Sequence, residues 1–306
     1  MISAAILTVL GLVLFEIISS ADNAIINAEV LKTMSEKARK WFLFWGILFA
    51  VFIIRGLLPW IIIWATNPSL GFIGALTATF SNDPIVAESI HKSAPILMIG
   101  GGIFLVFLFF HWLFLEKKTF GLVGEQFFYK QGVWFYAVVS IILAVTVWAA
   151  LKVNTNMAFG AVIGSTVFFI THGFKENAEK AEHELLHGSS KKSDISKILY
   201  LEVIDATFSI DGVLGAFAFT LSVPLILIGN GIGALVLRQL TISNIDNIKK
   251  YIYLKNGAMY SVFFLGLIMM LHAFHFNIPE WVSPVVTISV VGYFLLKSHF
   301  HNARNK

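Results

Sequence analysis

The chain has 306 residues, is 57% hydrophobic and only 13% charged, and carries a mean hydropathy of +0.80 with a net charge of +4. Such a composition excludes a soluble globule and describes a polytopic membrane protein. Cysteine is absent, which removes disulfides, thiolate chemistry and soft-metal thiolate sites.

The apolar runs are too long for strands and do not alternate, so the sequence predicts an all-α polytopic membrane protein. Nine spanning helices fit, at about 3–30, 41–65, 95–115, 133–151, 157–173, 198–221, 224–240, 257–276 and 282–298. The first begins without a basic segment or an Ala-x-Ala site, which predicts a retained helix rather than a cleaved signal. Leu70–Phe80 is too short to span and reads as re-entrant or interfacial. Residues 174–197 are rich in Lys and Glu and read as a charged cytoplasmic loop within a single transmembrane domain, 1–306.

Basic residues alternate with these spans. Lys32, Lys37, Arg39 and Lys40 lie in the first loop, and Lys117, Lys118 and Lys130 in the third. Lys175, Lys180, Lys191, Lys192 and Lys197 lie in the fifth, Lys249, Lys250 and Lys255 in the seventh, and Lys297, Arg304 and Lys306 at the end. Positive residues stay on the cytoplasmic side, so the N-terminus is expected outside and the C-terminus inside, in the inner (plasma) membrane. The basic pI is then a topology signal, and no nucleic-acid partner is expected.

The first and sixth spans each carry an acidic cluster, and the clusters resemble each other. Glu16-Ile-Ile-Ser-Ser20-Ala-Asp22-Asn23 and Asp205-Ala-Thr-Phe-Ser209-Ile-Asp211-Gly212 share an acid, a Ser four positions on and an Asp six positions on. Glu202 adds a fifth carboxylate. One helix beyond each cluster, Gly46 and Arg55 match Gly229 and Arg238, each pair nine apart. Five spans separate the copies, so the repeat is inverted, with halves of about 1–115 and 198–298, an arrangement that recurs in transporters.

A charged side chain at bilayer depth costs roughly 2.5–3.5 kcal/mol on insertion scales, so several carboxylates there point to an ion path. Glu16, Ser20 and Asn23 share one helix face, as do Glu202, Asp205, Ser209 and Gly212. Asp22 and Asp211 turn inward only if the helices unwind beside them. Oxygen ligands of this kind suit Mg²⁺, Ca²⁺ or Mn²⁺, while Zn²⁺ and Cu⁺ lack imidazole or thiolate in the clusters. The competing structural reading pairs the acids with Arg55 and Arg238. A mixed reading has the Arg residues neutralise the empty site and yield when a cation binds.

These residues also resemble the tellurium-resistance TerC family. The similarity lies in the two clusters, in Phe52-Ile-Ile-Arg55-Gly-Leu-Leu-Pro59, in Gly231-Ile-Gly-Ala and in Tyr251-Ile-Tyr-Leu. The resemblance implies an integral membrane protein of a transporter superfamily, some of whose members are implicated in manganese efflux. It also implies ion-site roles for Glu16, Asp22, Asn23, Asp205 and Asp211. The chain departs from the family at Lys255-Asn256, where a Glu-His pair is usual, and at His111, which stands for an acid.

Other signals compete. His183-Glu184-Leu185-Leu186-His187 has the spacing of a zinc metalloprotease motif. It lies in the charged loop, where an exposed helix with incidental histidines, or peripheral metal binding with His172, is the other reading. His272 and His275, and His299 and His301, read as interfacial. Gly100-Gly101-Gly102 reads as a site of close helix packing or a kink, not of phosphate binding. No nucleotide-binding motif is present, so any driving force is a gradient or another chain. The sequence thus predicts not an enzyme but a transporter exporting a divalent cation by alternating access, with Glu16, Ser20, Asp22, Asn23, Glu202, Asp205, Ser209 and Asp211 around the ion. An intramembrane metalloprotease, or an exporter of another small solute, is the alternative.

Overall fold

The computed structural model describes residues 2–46, 49, 55–66, 68, 71–80, 84–187 and 193–304, and among these there is no strand. In chain order the helices are α1 (Ile2–Ser19), α2 (Ala21–Lys32), α3 (Glu36–Trp41), α4 (Arg55–Thr66), α5 (Gly71–Phe80), α6 (Pro84–Leu115) and α7 (Glu125–Lys130). They continue as α8 (Phe135–Leu151), α9 (Thr155–His187), α10 (Asp194–Ala216), α11 (Val223–Lys249), α12 (Leu254–Ala273) and α13 (Val282–Arg304). A π-helical turn, Phe42–Gly46, follows α3.

Among the described residues, five segments are long and apolar enough to cross a membrane: Ser93–Leu115, Gly132–Leu151, Thr155–Lys175, Leu254–Ala273 and Val282–Ala303. Ala4–Ser19 and Val223–Leu237 are apolar but shorter. Nine spans were expected, and the difference has a cause in α10. That helix has 23 residues, enough to cross, but Asp194, Lys197, Glu202, Asp205 and Asp211 lower its hydropathy. The second expected span, 41–65, is described only as the end of α3, the π turn and α4, because 47–48 and 50–54 lie outside the described residues. Gly71–Phe80 is a ten-residue helix held to α4 where Trp60 Nε1 donates to the Phe72 carbonyl at 2.9 Å.

Interior packing relies on glycine where helices cross closely. A methyl group on Gly164 of α9 would clash with the Gly100 carbonyl oxygen, and one on Gly102 would lie 2.9 Å from that of Gly266. The Gly100–Gly102 run therefore brings α6 against α9 on one side and α12 on the other, as its composition predicts. Phe104, Phe107 and Trp112 of α6 are buried, and Phe104 and Phe107 meet Phe168 of α9 edge to face. Large apolar side chains on α8, such as Ile141 and Trp148, are exposed, as a lipid-facing helix requires.

Successive contacts fix the helix directions. Along α1, Gly11 meets Phe219, Phe15 meets Gly215 and Glu16 meets Gly212, so α1 and α10 are antiparallel. Leu12 packs at Gly229 and Glu16 at Gly233, so α1 and α11 are parallel. Gly11 at Pro284, with Ile18 clustered with Val291, makes α13 parallel to α1. By the same criterion α6 and α9 are parallel, and α12 is antiparallel to α6.

Candidate functional site

The first acidic segment is not one smooth helix. It divides at Ser20, where α1 gives way to α2. The backbone bonds Ser20 N to Glu16 O, 3.1 Å, and Ala24 N to Ser20 O, 3.0 Å, are nevertheless kept, so the chain jogs rather than unwinds. The second cluster shows no break. α10 runs unbroken from Asp194 through Asp211 and Gly212 to Ala216, so the unwinding that would turn Asp211 inward is absent there. Gly212 serves close packing instead: a methyl group there would lie 3.3 Å from Glu16 Oε2.

The two clusters meet. Glu16 is fully buried, accepts a hydrogen bond from Ser20 Oγ at 2.7 Å and lies against Gly212 of α10 and Gly233 of α11. Asn27 of α2 donates through Nδ2 to Asp205 Oδ1 at 2.9 Å. Ser209 is buried and spends its hydroxyl on the Asp205 carbonyl, 2.6 Å. Glu202 lies beyond them, its carboxylate 2.5 Å from where a methyl group on Gly46 would be. Both Glu202 oxygens are buried with no hydrogen-bond partner among the described residues. The side chains of Asp22 and Asn23 lie outside the described part of the structure, as do those of Arg55, Arg238, His183, Glu184 and His187.

Asp211 turns away from this seam to α9, where its Oδ2 forms an ion pair with the Lys175 ammonium. Lys175 had been counted only as a loop charge. It lies at the end of the Thr155–Lys175 segment, which α9 carries on as helix to His187. Asn230 was also missed. It is 1% exposed, and neither its amide nitrogen nor its oxygen has a hydrogen-bond partner among the described residues. The signal was available, because an Asn in an otherwise apolar segment is as anomalous as an acid. Among the described residues no three Asp, Glu or His side chains group closely enough to hold a metal ion.

A second polar cluster closes one end of the bundle. Glu116, just past α6, faces His111 Nδ1 at 3.7 Å and Lys255 Nζ at 2.7 Å. Burial opposes ionisation of Glu116, but the His111 hydrogen bond and the Lys255 ammonium outweigh it and hold the carboxyl below its ordinary range. His111 also stacks on His172 of α9, ring centres 3.8 Å apart. Asn256 donates to Glu125 Oε2 at 3.0 Å. Lys255 and Asn256 thus have partners on the α6–α7 connection.

Buried carboxylates, one holding a lysine, inside a bundle of apolar helices define an integral membrane protein. The chain belongs to the family described as "Protein of unknown function (DUF475)", whose model matches residues 21–305. It is 29% identical over 109 residues to the uncharacterized membrane protein YceF of Bacillus subtilis, covering 36% of this chain and 42% of that protein. It is also 29% identical over 101 residues to an uncharacterized membrane protein of Rickettsia prowazekii, covering 33% of this chain and 34% of that one. The match thus spans less than half the length of either relative. No solved structure matches the chain. The family match overturns the resemblance to the tellurium-resistance family. That resemblance rested on short acid- and glycine-rich strings, and any pair of helices that must bury carboxylates against close neighbours favours the same residues.

Proposed function

We propose that the protein is a multi-pass transporter of the inner (plasma) membrane that exports a divalent metal cation, Mn²⁺ foremost, through the seam between α1–α2 and α10–α11. The observation that carries this reading is the Lys175 ammonium on Asp211, beside a seam that also buries Glu16 and Asp205. A buried carboxylate that already holds a positive charge is suited to exchanging that charge for a metal ion. Asp211 gains a free oxygen for the ion when Lys175 swings away. Glu16, Asp205, Asp22 and Glu202 supply further carboxylates, and Asn23, Ser20 and Ser209 neutral oxygens.

The inverted repeat belongs to the same reading, and a crosswise contact supports it. A two-fold relation between the halves carries the contact of Glu16 with Gly212 onto one of Asp205 with Asn23. The partner observed is Asn27, one turn further along α2. Nine passes, with the N-terminus outside and the C-terminus inside, complete the arrangement.

The test is metal movement into sealed vesicles containing the purified full chain, read by quenching of a trapped Mn²⁺-sensitive dye. Asp211→Asn and Glu16→Gln should abolish movement, while His183→Ala should leave it intact. Metal-independent behaviour of every variant, together with a proteolytic activity lost in Glu184→Gln, would replace this reading with the metalloprotease one.

A further inference from the structure

A cavity of 320 Å³ lies where the turn after α10, the end of α12 and the start of α13 meet α6. Its wall at 217–221 is the direct continuation of α10, beginning six residues past Asp211. Ser283 Oγ donates to the Ala218 carbonyl at 2.6 Å and pins that wall to α13. Phe219 lies between the cavity and α1. It is 3% exposed, its ring centre is 5.7 Å from that of Phe15, and a methyl group on Gly11 would lie 2.9 Å from it. Phe15 in turn covers Gly215, and the next residue on α1 is Glu16. Two apolar rings, tilted 45° to each other, therefore lie between the cavity and the first buried carboxylate.

The lining suits a cation. Its one formal charge is the Glu280 carboxylate, His272 and His275 add imidazole nitrogens, and no Lys or Arg is among the described lining residues. His275 holds a backbone φ of 64°, at a helix-end position where glycine is ordinary, so the imidazole is kept there against local strain. The volume also fits. A divalent ion with about six waters needs roughly 180 Å³ at ~30 Å³ per water. Three close ligating side chains are lacking, so the cavity suits a hydrated ion in transit and not a stripped one held by the protein.

We propose that this cavity is the vestibule through which the hydrated cation enters or leaves the acidic seam, with Phe15 and Phe219 as the plug between them. The inference rests on the transport reading above and adds to it a route and a gate.

The chain has no cysteine, so single thiols can be introduced without background. Leu221→Cys places one in the cavity, and Ser20→Cys places one beside Glu16. Each full-length variant is reconstituted in vesicles and treated with a membrane-impermeant cationic methanethiosulfonate from one face at a time. From one face L221C should react quickly, and saturating Mn²⁺ should slow it several-fold. From that face S20C should stay silent until Phe219→Ala is added. Phe219→Leu, which keeps most of the packing, should give an intermediate rate and serves if F219A fails to fold. A reactive S20C with Phe219 intact overturns the plug. Protection of L221C by a small organic solute and not by Mn²⁺ overturns the cation vestibule. Failure of the unmodified protein to move metal at all sinks the transport reading instead, and the labelling pattern still decides whether the cavity takes Mn²⁺.

Discussion

Lys175 and Asp211 are each mostly buried, at 13% and 14% side-chain exposure, so neither charge is comfortable without the other. Removing one partner of such a pair leaves an uncompensated charge and costs roughly 3–5 kcal/mol, whereas replacing both with neutral groups is often close to neutral. Lys175→Met and Asp211→Asn are each expected to lower the thermal midpoint of the purified protein, and the double variant should recover much of the loss. Additive effects would show that the ion pair contributes nothing. The acids were legible in the sequence because carboxylates inside apolar runs are anomalous. Their partner was not, because Lys175 stands at the edge of a lysine-rich stretch and looks like another loop charge. Only the parallel course of α6 and α9, and the return of α10, carry it to Asp211. Asn27 went unused for a similar reason. Its contact with Asp205 spans 178 positions of sequence, and spacing along one helix says nothing about it.

Among the helices, glycines divide by what surrounds them. Gly164 and Gly173 both lie in α9, yet a methyl group on Gly164 meets the Gly100 backbone, while one on Gly173 meets nothing within 4 Å. Gly164→Ala must push α6 and α9 apart and should cost about 1–3 kcal/mol, as overpacking does. Gly173→Ala should instead stabilise by about 0.5–1 kcal/mol through helix propensity. Thermal unfolding of the two variants in one detergent checks both signs. Helix ends offer a pH test. Lys118 donates to the Trp112, Leu113 and Glu116 carbonyls at the end of α6. Burial pulls its ammonium down from 10.5 to about 8, although the Glu125 and Glu116 carboxylates favour the charge. The folded state then binds fewer protons than the unfolded chain between about pH 8 and 10.5. This contribution to stability is therefore present above the unfolded value and is lost as pH falls through about 8. Lys118→Met should remove that rise, seen as a flatter dependence of the thermal midpoint between pH 8 and 10. Solvent reaches the half-buried ammonium, so the change in slope is expected to be small.

At the scale of the whole molecule, the helical class was legible from hydropathy alone, and five of the nine expected spans correspond to segments long and apolar enough to cross among the described residues. α10, expected as a span over 198–221, is left out of the five apolar segments because the acids that give it interest also make it polar. The break at Ser20 and the early end of α10 at Ala216 depend on tertiary contacts that periodicity does not record. Helix direction supplies what composition lacks. Contacts make α1 and α13 parallel, so Ile2 and Arg304 lie toward opposite ends of the bundle. Chain termini on opposite faces require an odd number of passes. α6, α8, α9, α10, α11, α12 and α13 follow one another with alternating direction wherever contacts fix it, apart from the short α7. If each of these and α1–α2 crosses, as the proposed arrangement has it, they make eight passes, and because α1 and α6 both run antiparallel to a shared direction, α10 for one and α12 for the other, that arrangement needs one return within 33–83. In the proposed nine-pass arrangement the expected 41–65 span is that return, and α5 does not cross. On the proposed arrangement the positive-inside excess puts Arg304 in the cytoplasm and Ile2 outside. A fluorescent protein fused after Arg304 should be bright in cells, and an alkaline phosphatase fused at the same point should be inactive, because it matures only outside the cytoplasm. The reverse pair of results would invert the whole arrangement and place the His272–Glu280 cavity on the cytoplasmic face, making it an entrance for exported ions in place of an exit.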